Sequence, residues 1–277
     1  MKVLNISGEQ APDLSPIKDL KNLETLYIAG EHISDINALA NLKNLKLLRV
    51  YSSRISDLTP LAGLTNLEEL EAYENKITDL TPLAGLVNLK KLNLEKNQIS
   101  DLSPLAGLTQ LVNLQLRYNQ IGDLTPLAGL TNLENLDISY NRISDLTPLQ
   151  GLNHLQILDF RNNRVSDLSP LANLTRLRSI CFDYNQVSDL SPIVRLYDAG
   201  GLREKKSVIY LAENPLTNEA FQEDIPYLQK HGVSVSGLKH GAPRYEPVTP
   251  RQVQPQTKPP PSDTPFIISP RVRKRTP

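Results

Sequence analysis

Residues 1–238 predict an α/β solenoid, a chain wound into stacked coils that each contribute one short strand and one short helical turn. Three observations carry this. A leucine recurs every 22 residues, from Leu20 to Leu196, without a slip. Each unit holds a pair of apolar residues two apart, such as Leu92 and Leu94. A fixed Asn follows that pair, and an Asp-Leu-Ser/Thr-Pro-Leu segment follows the Asn. Self-similarity at a fixed period of this size marks repeat architectures.

One unit, residues 86–107, shows what each part does. Leu92-x-Leu94 reads as a short strand with both leucines on one side. Asn97 stands where the chain leaves the strand, and its amide carries donors and an acceptor for the backbone of its own and the adjacent coil. Asn75, Asn97, Asn119, Asn141, Asn163 and Asn185 then form a ladder. Asp-Leu-Ser/Thr-Pro-Leu reads as a helix start, with Ser or Thr as cap and Pro in the first helical position. So few residues remain before the next strand that only a single 3-10 turn fits. Asp57, Asp79, Asp101, Asp123, Asp145, Asp167 and Asp189 recur at one turn of every coil, where an Asp satisfies local backbone donors. One coil cannot bury both of its faces, so the array folds as a unit.

The ends depart from the pattern. Leu4 and Ile6 fall in register with Leu26 and Ile28, so the chain opens on a fractional coil. Glu31 and Ser53 replace the ladder Asn, and Asn37-Ala38 replace Ser/Thr-Pro. The corner Asn due at 207 arrives at Asn214, seven residues late. The extra length reads as a protruding loop over 197–207, with terminal drift or partner contact as its two explanations. The solenoid spans 1–214. Residues 215–238 read as a C-terminal helical cap: Thr217 or Asn218 starts it, Phe221, Ile225 and Leu228 share a face, Pro226 kinks it and Gly232 stops it. Val233 and Val235 make a last strand. Residues 239–277 hold ten of the 21 prolines and read as a disordered, Pro-rich basic tail.

Composition narrows the function classes. Lys+Arg and Asp+Glu are equal at 30 each. The tail carries eight basic residues against Glu246 and Asp263, so it is +6 and residues 1–238 are −6. Cys181 is the one cysteine, so no internal disulfide forms. It lies between Ile180 and Phe182, and strand alternation expects it on the outer face of the sheet, exposed. The four His are far apart in sequence, so no closed zinc site and no other metal or cofactor is expected. No Gly-rich phosphate loop and no catalytic constellation is present, so the chain is expected not to be an enzyme. MKVLNISGEQ does not read as a signal peptide, and no run of 18 apolar residues exists. A cytoplasmic monomer with no nucleic-acid or membrane partner is the expectation. Arg271–Arg275 and Pro247-Val-Thr-Pro250 read as parts of a solvated tail ahead of a localisation signal or a PxxP ligand.

The unit with Asn-x-Ile-Ser-Asp-Leu-Thr-Pro-Leu-Ala-x-Leu resembles the repeat of the internalins, and also that of the protein-phosphatase-1 regulatory subunit subclass of leucine-rich repeats. The resemblance covers roughly residues 1–238. It implies a right-handed leucine-rich-repeat horseshoe, with a parallel β-sheet on the concave side and short 3-10 turns on the convex side. It also implies protein binding through the concave face.

Sequence freedom is concentrated on that face. The outward positions read Tyr27, Arg49, Glu71, Asn93, Gln115, Asp137, Asp159 in one row. The next row reads Ala29, Tyr51, Tyr73, Glu95, Arg117, Ser139, Arg161, Asp183, and Tyr118, Tyr140 and Tyr184 stand among the strand ends. Tyr and Arg are enriched at interface hot spots, and Tyr also suits exposed strands. The expected partner-binding residues are Tyr51, Tyr73, Glu71, Glu95, Arg117, Tyr118, Asp137, Tyr140, Asp159, Arg161 and Tyr184. The expected function is a non-catalytic interaction module for a protein partner of unknown identity. The alternatives are an exported internalin-like adhesin lacking its signal and anchor, or a regulatory subunit of an enzyme such as a protein phosphatase.

Overall fold

In the computed structural model, residues 2–7 and 13–238 are described. The Pro-rich tail expected at 239–277 lies outside them.

Eleven strands form one parallel sheet in chain order. They are β1 (Val3–Ser7), β2 (Thr25–Ala29), β3 (Leu47–Tyr51), β4 (Glu69–Glu71), β5 (Lys91–Asn93), β6 (Asn113–Gln115), β7 (Asn135–Asp137), β8 (Ile157–Asp159), β9 (Ser179–Cys181), β10 (Val208–Tyr210) and β11 (Ser234–Ser236). Each leucine pairs with the leucine 22 residues on, as Leu70 with Leu92 and Leu92 with Leu114. The sheet is curved and unclosed, with short 3-10 turns on its other side. This is a leucine-rich-repeat solenoid. Leu86, Leu89, Leu92, Leu94, Ile99, Leu102 and Leu105 are all buried and belong to one continuous core running through every coil.

The Asn ladder holds the coils together. Asn119 Nδ2 donates to Leu94 O at 2.9 Å and to Leu116 O at 3.0 Å, and its Oδ1 accepts from Ile99 N at 3.0 Å. One side chain thus ties the corner of its own coil to the coil before it. The pattern repeats from Asn75 to Asn185 and continues at Asn214, past the register break. Ser53 keeps a shortened version, with Oγ donating to Gly30 O at 3.1 Å and Tyr51 O at 3.0 Å.

The helical turns are capped differently from the expectation. Ser103 and Thr125 are the first 3-10 residues and Pro the second. The capping acceptor is the Asp two residues earlier: Asp101 Oδ1 accepts from Ser103 N at 2.8 Å, and Asp123 Oδ1 from Thr125 N at 2.8 Å. The carboxylate reaches that amide through an Asx turn, so Ser/Thr is left to start the helix. The Ser103 and Thr125 hydroxyls, and then these backbone bonds, pull the Asp101 and Asp123 carboxyls below the ordinary range.

The register break is also built differently. Much of the seven-residue surplus is helix: α1 spans Ser191–Asp198 where other coils have a 3-10 turn. Gly200 (φ +115°) and Gly201 end it, and a Cβ at Gly201 would meet Leu196 Cδ1 at 2.5 Å. Leu202 and Ser207 return to the interior, so only Arg203–Lys206 stand out. The cap follows as a π-helical turn (Ala220–Asp224), α2 (Ile225–Lys230) and β11. Ala220, Ile225, Leu228 and Val233 close the core, and Phe221 packs at its margin. Pro226 falls in the first turn of α2, where its missing N–H costs nothing. At the other end Leu4 and Ile6 are only partly buried, and Val3 is 58% exposed.

Candidate functional site on the concave face

The scaffold places the variable side chains. In each strand the inward leucine is fixed and its neighbours point out, so residues 22 apart line up across the sheet at about 4.8 Å spacing. One residue before each ladder Asn, the chain turns through left-handed backbone. Ser52, Glu74, Lys96, Tyr118, Tyr140, Asn162 and Tyr184 all have φ between 50° and 57°. The turn aims these side chains along the rim of the concave face.

Three groups result. In the first, Tyr51 and Tyr73 stack with centroids 4.8 Å apart and planes 4° from parallel. Beside them Arg49 Nε meets Glu71 Oε2 at 3.0 Å, and its guanidinium lies 5.3 Å from the Tyr27 ring centre. Burial in the stack raises the Tyr73 hydroxyl's pKa. Lys96 and Glu74 pair along the rim.

The second group is at the middle of the sheet. Tyr118 and Tyr140 have centroids 4.2 Å apart. The Arg117 guanidinium lies 4.7 Å and 5.0 Å from the two ring centres, and its Nη2 donates to Tyr118 Oη at 3.4 Å. Arg117 Nε is buried with no hydrogen-bond partner. Glu95 is the neighbour of Arg117 in the same row, one coil away, and no salt bridge joins them.

The third group is a polar trough. Asp137 and Asp159 are directly paired across β7 and β8. Asp159 is 4% exposed and holds Arg161, whose Nη2 lies 2.7 Å from Asp159 Oδ2 and whose Nε donates to both oxygens at 3.0 Å and 2.9 Å. Asp137 accepts from Ser139 N at 2.9 Å and Ser139 Oγ at 2.6 Å. Burial, then the Asp159 charge, pushes the Asp137 carboxyl up to about 6. Burial also raises Asp183. Tyr184, at the rim, is 51% exposed.

Cys181 corrects an expectation. It is fully buried, because Asp159 and Tyr210 flank it in register and Arg161 lies against its sulfur. Burial, with the nearby Asp159 charge, drives the thiol's pKa well above its ordinary value. Among the described residues no cluster of three His, Cys, Asp or Glu side chains is placed to hold a metal, and no helix is long and apolar enough to cross a membrane.

Comparison with known proteins fits this architecture. The model of the family described as leucine-rich repeats (2 copies) matches residues 65–107, 109–151 and 153–195. Among solved structures, an internalin (inlF) from Listeria monocytogenes is 33% identical over 85% of this chain and 76% of its own, with a TM-score of 0.69. The chain belongs to the internalin-like leucine-rich-repeat family. Internalin C2 from the same organism is 42% identical over 59% of the internalin-like chain and 73% of its own, with a TM-score of 0.57. A leucine-rich-repeat protein of Leptospira interrogans, 19% identical over 85% of this chain and 76% of its own at a TM-score of 0.59, shares the fold. No curated protein matches the chain.

The internalin-like chain therefore brings Tyr51, Tyr73 and Glu71 together, then Glu95, Arg117, Tyr118 and Tyr140, then Asp137, Asp159 and Arg161. It does not gather all eleven expected residues in one spot. Asp159 lies beneath the surface and holds the Arg161 guanidinium above it. The left-handed rim was missed by sequence reasoning. Its signal was the residue before each ladder Asn, which is bulky and polar where a glycine would be the easy choice.

Proposed function

We propose that the internalin-like chain is a non-catalytic binding module that holds a protein partner on its concave face. Leucine-rich-repeat domains generally mediate protein–protein interaction. The observation that carries the reading here is the cluster of Arg117 against the paired rings of Tyr118 and Tyr140. Neither the core nor the ladder needs these side chains. They are nonetheless held in one arrangement by ring contacts, so their ordering entropy is spent before a partner arrives. Tyr and Arg at the centre of a face are the residue types that dominate interface energies.

The test is capture of the partner from a lysate of the source cells by the intact chain, then affinity measurement with the purified partner. Tyr118→Ala with Tyr140→Ala should keep the circular dichroism melt and weaken binding by about 2–4 kcal/mol. A folded double variant with parental affinity would remove the concave middle as the site.

A further inference from the structure

We propose that the flank of the solenoid beside the register break is a second binding site, which takes an acidic segment of a partner protein. This site is separate from the concave face and does not rest on that reading.

In the first coils along this flank the charges are matched from coil to coil. Lys90 Nζ lies 2.7 Å from Glu68 Oε2, and Lys46 Nζ lies 3.5 Å from Glu24 Oε2. In the next column, Asn44, Asn66, Asn88 and Asn132 tie their coils to the one before: Asn66 Nδ2 donates to Lys43 O and Asn88 Nδ2 to Thr65 O, both at 2.8 Å. Toward the register break both arrangements lapse: Val112 and Gln156 leave Glu134 without an opposite charge in the first column, and Gln110 and His154 interrupt the second. Arg176 takes the Asn position and is exposed, with no ion pair among the described residues. Arg178 takes the Lys/Glu position two coils beyond Glu134. It has only Glu204 at 3.8 Å, and its Nε is buried without a partner.

The surplus residues add cations. Arg203 is fixed by Tyr197 O and Asp198 O at 3.1 Å each. Lys205 and Lys206 follow it, exposed, with Lys206 at φ +85°. Five cations thus gather around the register break with two carboxylates, Glu204 and Asp198, in a body that is otherwise acidic. Arg176, Arg203 and Glu204 rim an open recess of about 490 Å³, with Leu177 and Leu202 buried beneath.

The shape selects the class of ligand. Guanidinium forks fit carboxylates and phosphates alike. The helix end that adjoins Arg203, however, is the C-terminal, carbonyl-bearing end of α1, which disfavours a lone anion seated against it. An extended chain of carboxylates crossing the rim meets several cations at once and avoids that end. A nucleic acid lacks its usual stacking platform, because the Tyr197 ring is already covered by Arg203, Tyr227 and His231.

The test uses the full chain and a fluorescently labelled peptide of alternating Glu and Asp, read by anisotropy. The peptide should bind, and rising salt should weaken it. Arg176→Glu combined with Lys205→Glu and Lys206→Glu should cut affinity at least about tenfold. These three side chains hold nothing in place, so the melt should not change. Alanine at Arg271, Arg273, Lys274 and Arg275 should leave affinity within about twofold. An unchanged affinity in the triple variant overturns the proposal, as does loss of binding in the tail variant instead. Absence of binding by the full chain overturns it as well. Tighter binding of inorganic phosphate or of an equally charged oligonucleotide overturns the acidic-peptide assignment.

Discussion

Tyr51, the last residue of β3, and Tyr73, two residues past β4, stack face to face at 4.8 Å, the spacing of adjacent strands. With the ring planes across the solenoid axis, the pair shows a partner its edges and hydroxyls. The stack should be populated in the free protein. A double-mutant cycle with Tyr51→Ala and Tyr73→Ala, read by urea unfolding, should give a coupling of about 0.5–1.5 kcal/mol. Additive effects would mean that the rings do not pair in solution.

The two Asn ladders should differ in weight. Asn119 is buried and serves four backbone groups, so Asn119→Ala should cost about 1–3 kcal/mol by stranding them. Asn132 makes one exposed bond, to Thr109 O, and its loss should cost under about 1 kcal/mol. Denaturation midpoints of the two variants decide this, and equal midpoints would contradict it.

Asp137 makes the fold pH-sensitive. Its carboxyl sits at about 6 in the folded chain, against about 3.9 when unfolded. Between those values the folded state holds more protons, so stability falls as pH rises through the window, and the cost is complete above it. Asp137→Asn removes the charge. Asn93 shows that an amide at the equivalent position keeps the backbone bond, accepting from Glu95 N at 2.9 Å. The variant should gain about 1–3 kcal/mol near neutral pH and nothing near pH ~4. A gain independent of pH would point to packing instead.

Cys181 should be inert. Its thiol is buried and held protonated, so a thiol reagent at pH ~8 should label it only as fast as the chain opens. Rapid stoichiometric labelling of the folded protein would show that Arg161 swings away.

The two ends should differ in hydrogen exchange. The C-terminal end is closed by Ile225, Leu228 and Val233, whereas β1 is an edge strand whose Leu4 and Ile6 are partly exposed. Residues 1–30 should exchange before the middle coils. Equal protection would mean that something covers β1 in solution.

Much of this molecule was legible in its sequence because each structural demand is repeated. Leu92 and Asn97 recur in other coils, and a pattern that recurs cannot be a local accident. The strands, their 22-residue register and the main ladder follow from it. Features that depend on what lies beside a residue were not legible. Cys181 obeys strand alternation, yet Arg161 and its register neighbours cover it. The same alternation sends Asp159 outward, and its own bond to Arg161 buries it. The register break appeared as length alone, and the fact that Ser191–Asp198 continues as α-helix depends on the cap that α1 packs against. The second Asn column was visible at Asn44, Asn66, Asn88 and Asn132, but Gln110, His154 and Arg176 interrupt it.

From Asn75 to Asn185, every bond between neighbouring coils in the main ladder joins residues 20 or 25 apart. The partners on offer are therefore chemically the same one full unit further along. During folding a strand can pair with the next strand but one, leaving 22 residues looped out, and satisfy the same groups. The regular middle of the chain has little with which to reject that error. What rejects it is the irregular material: Ser53 in place of Asn, the bulky Phe160–Phe182 stack and the α1 coil, each of which fits only one neighbour. Replacing them with consensus residues would make a more uniform chain that slips more readily while it folds.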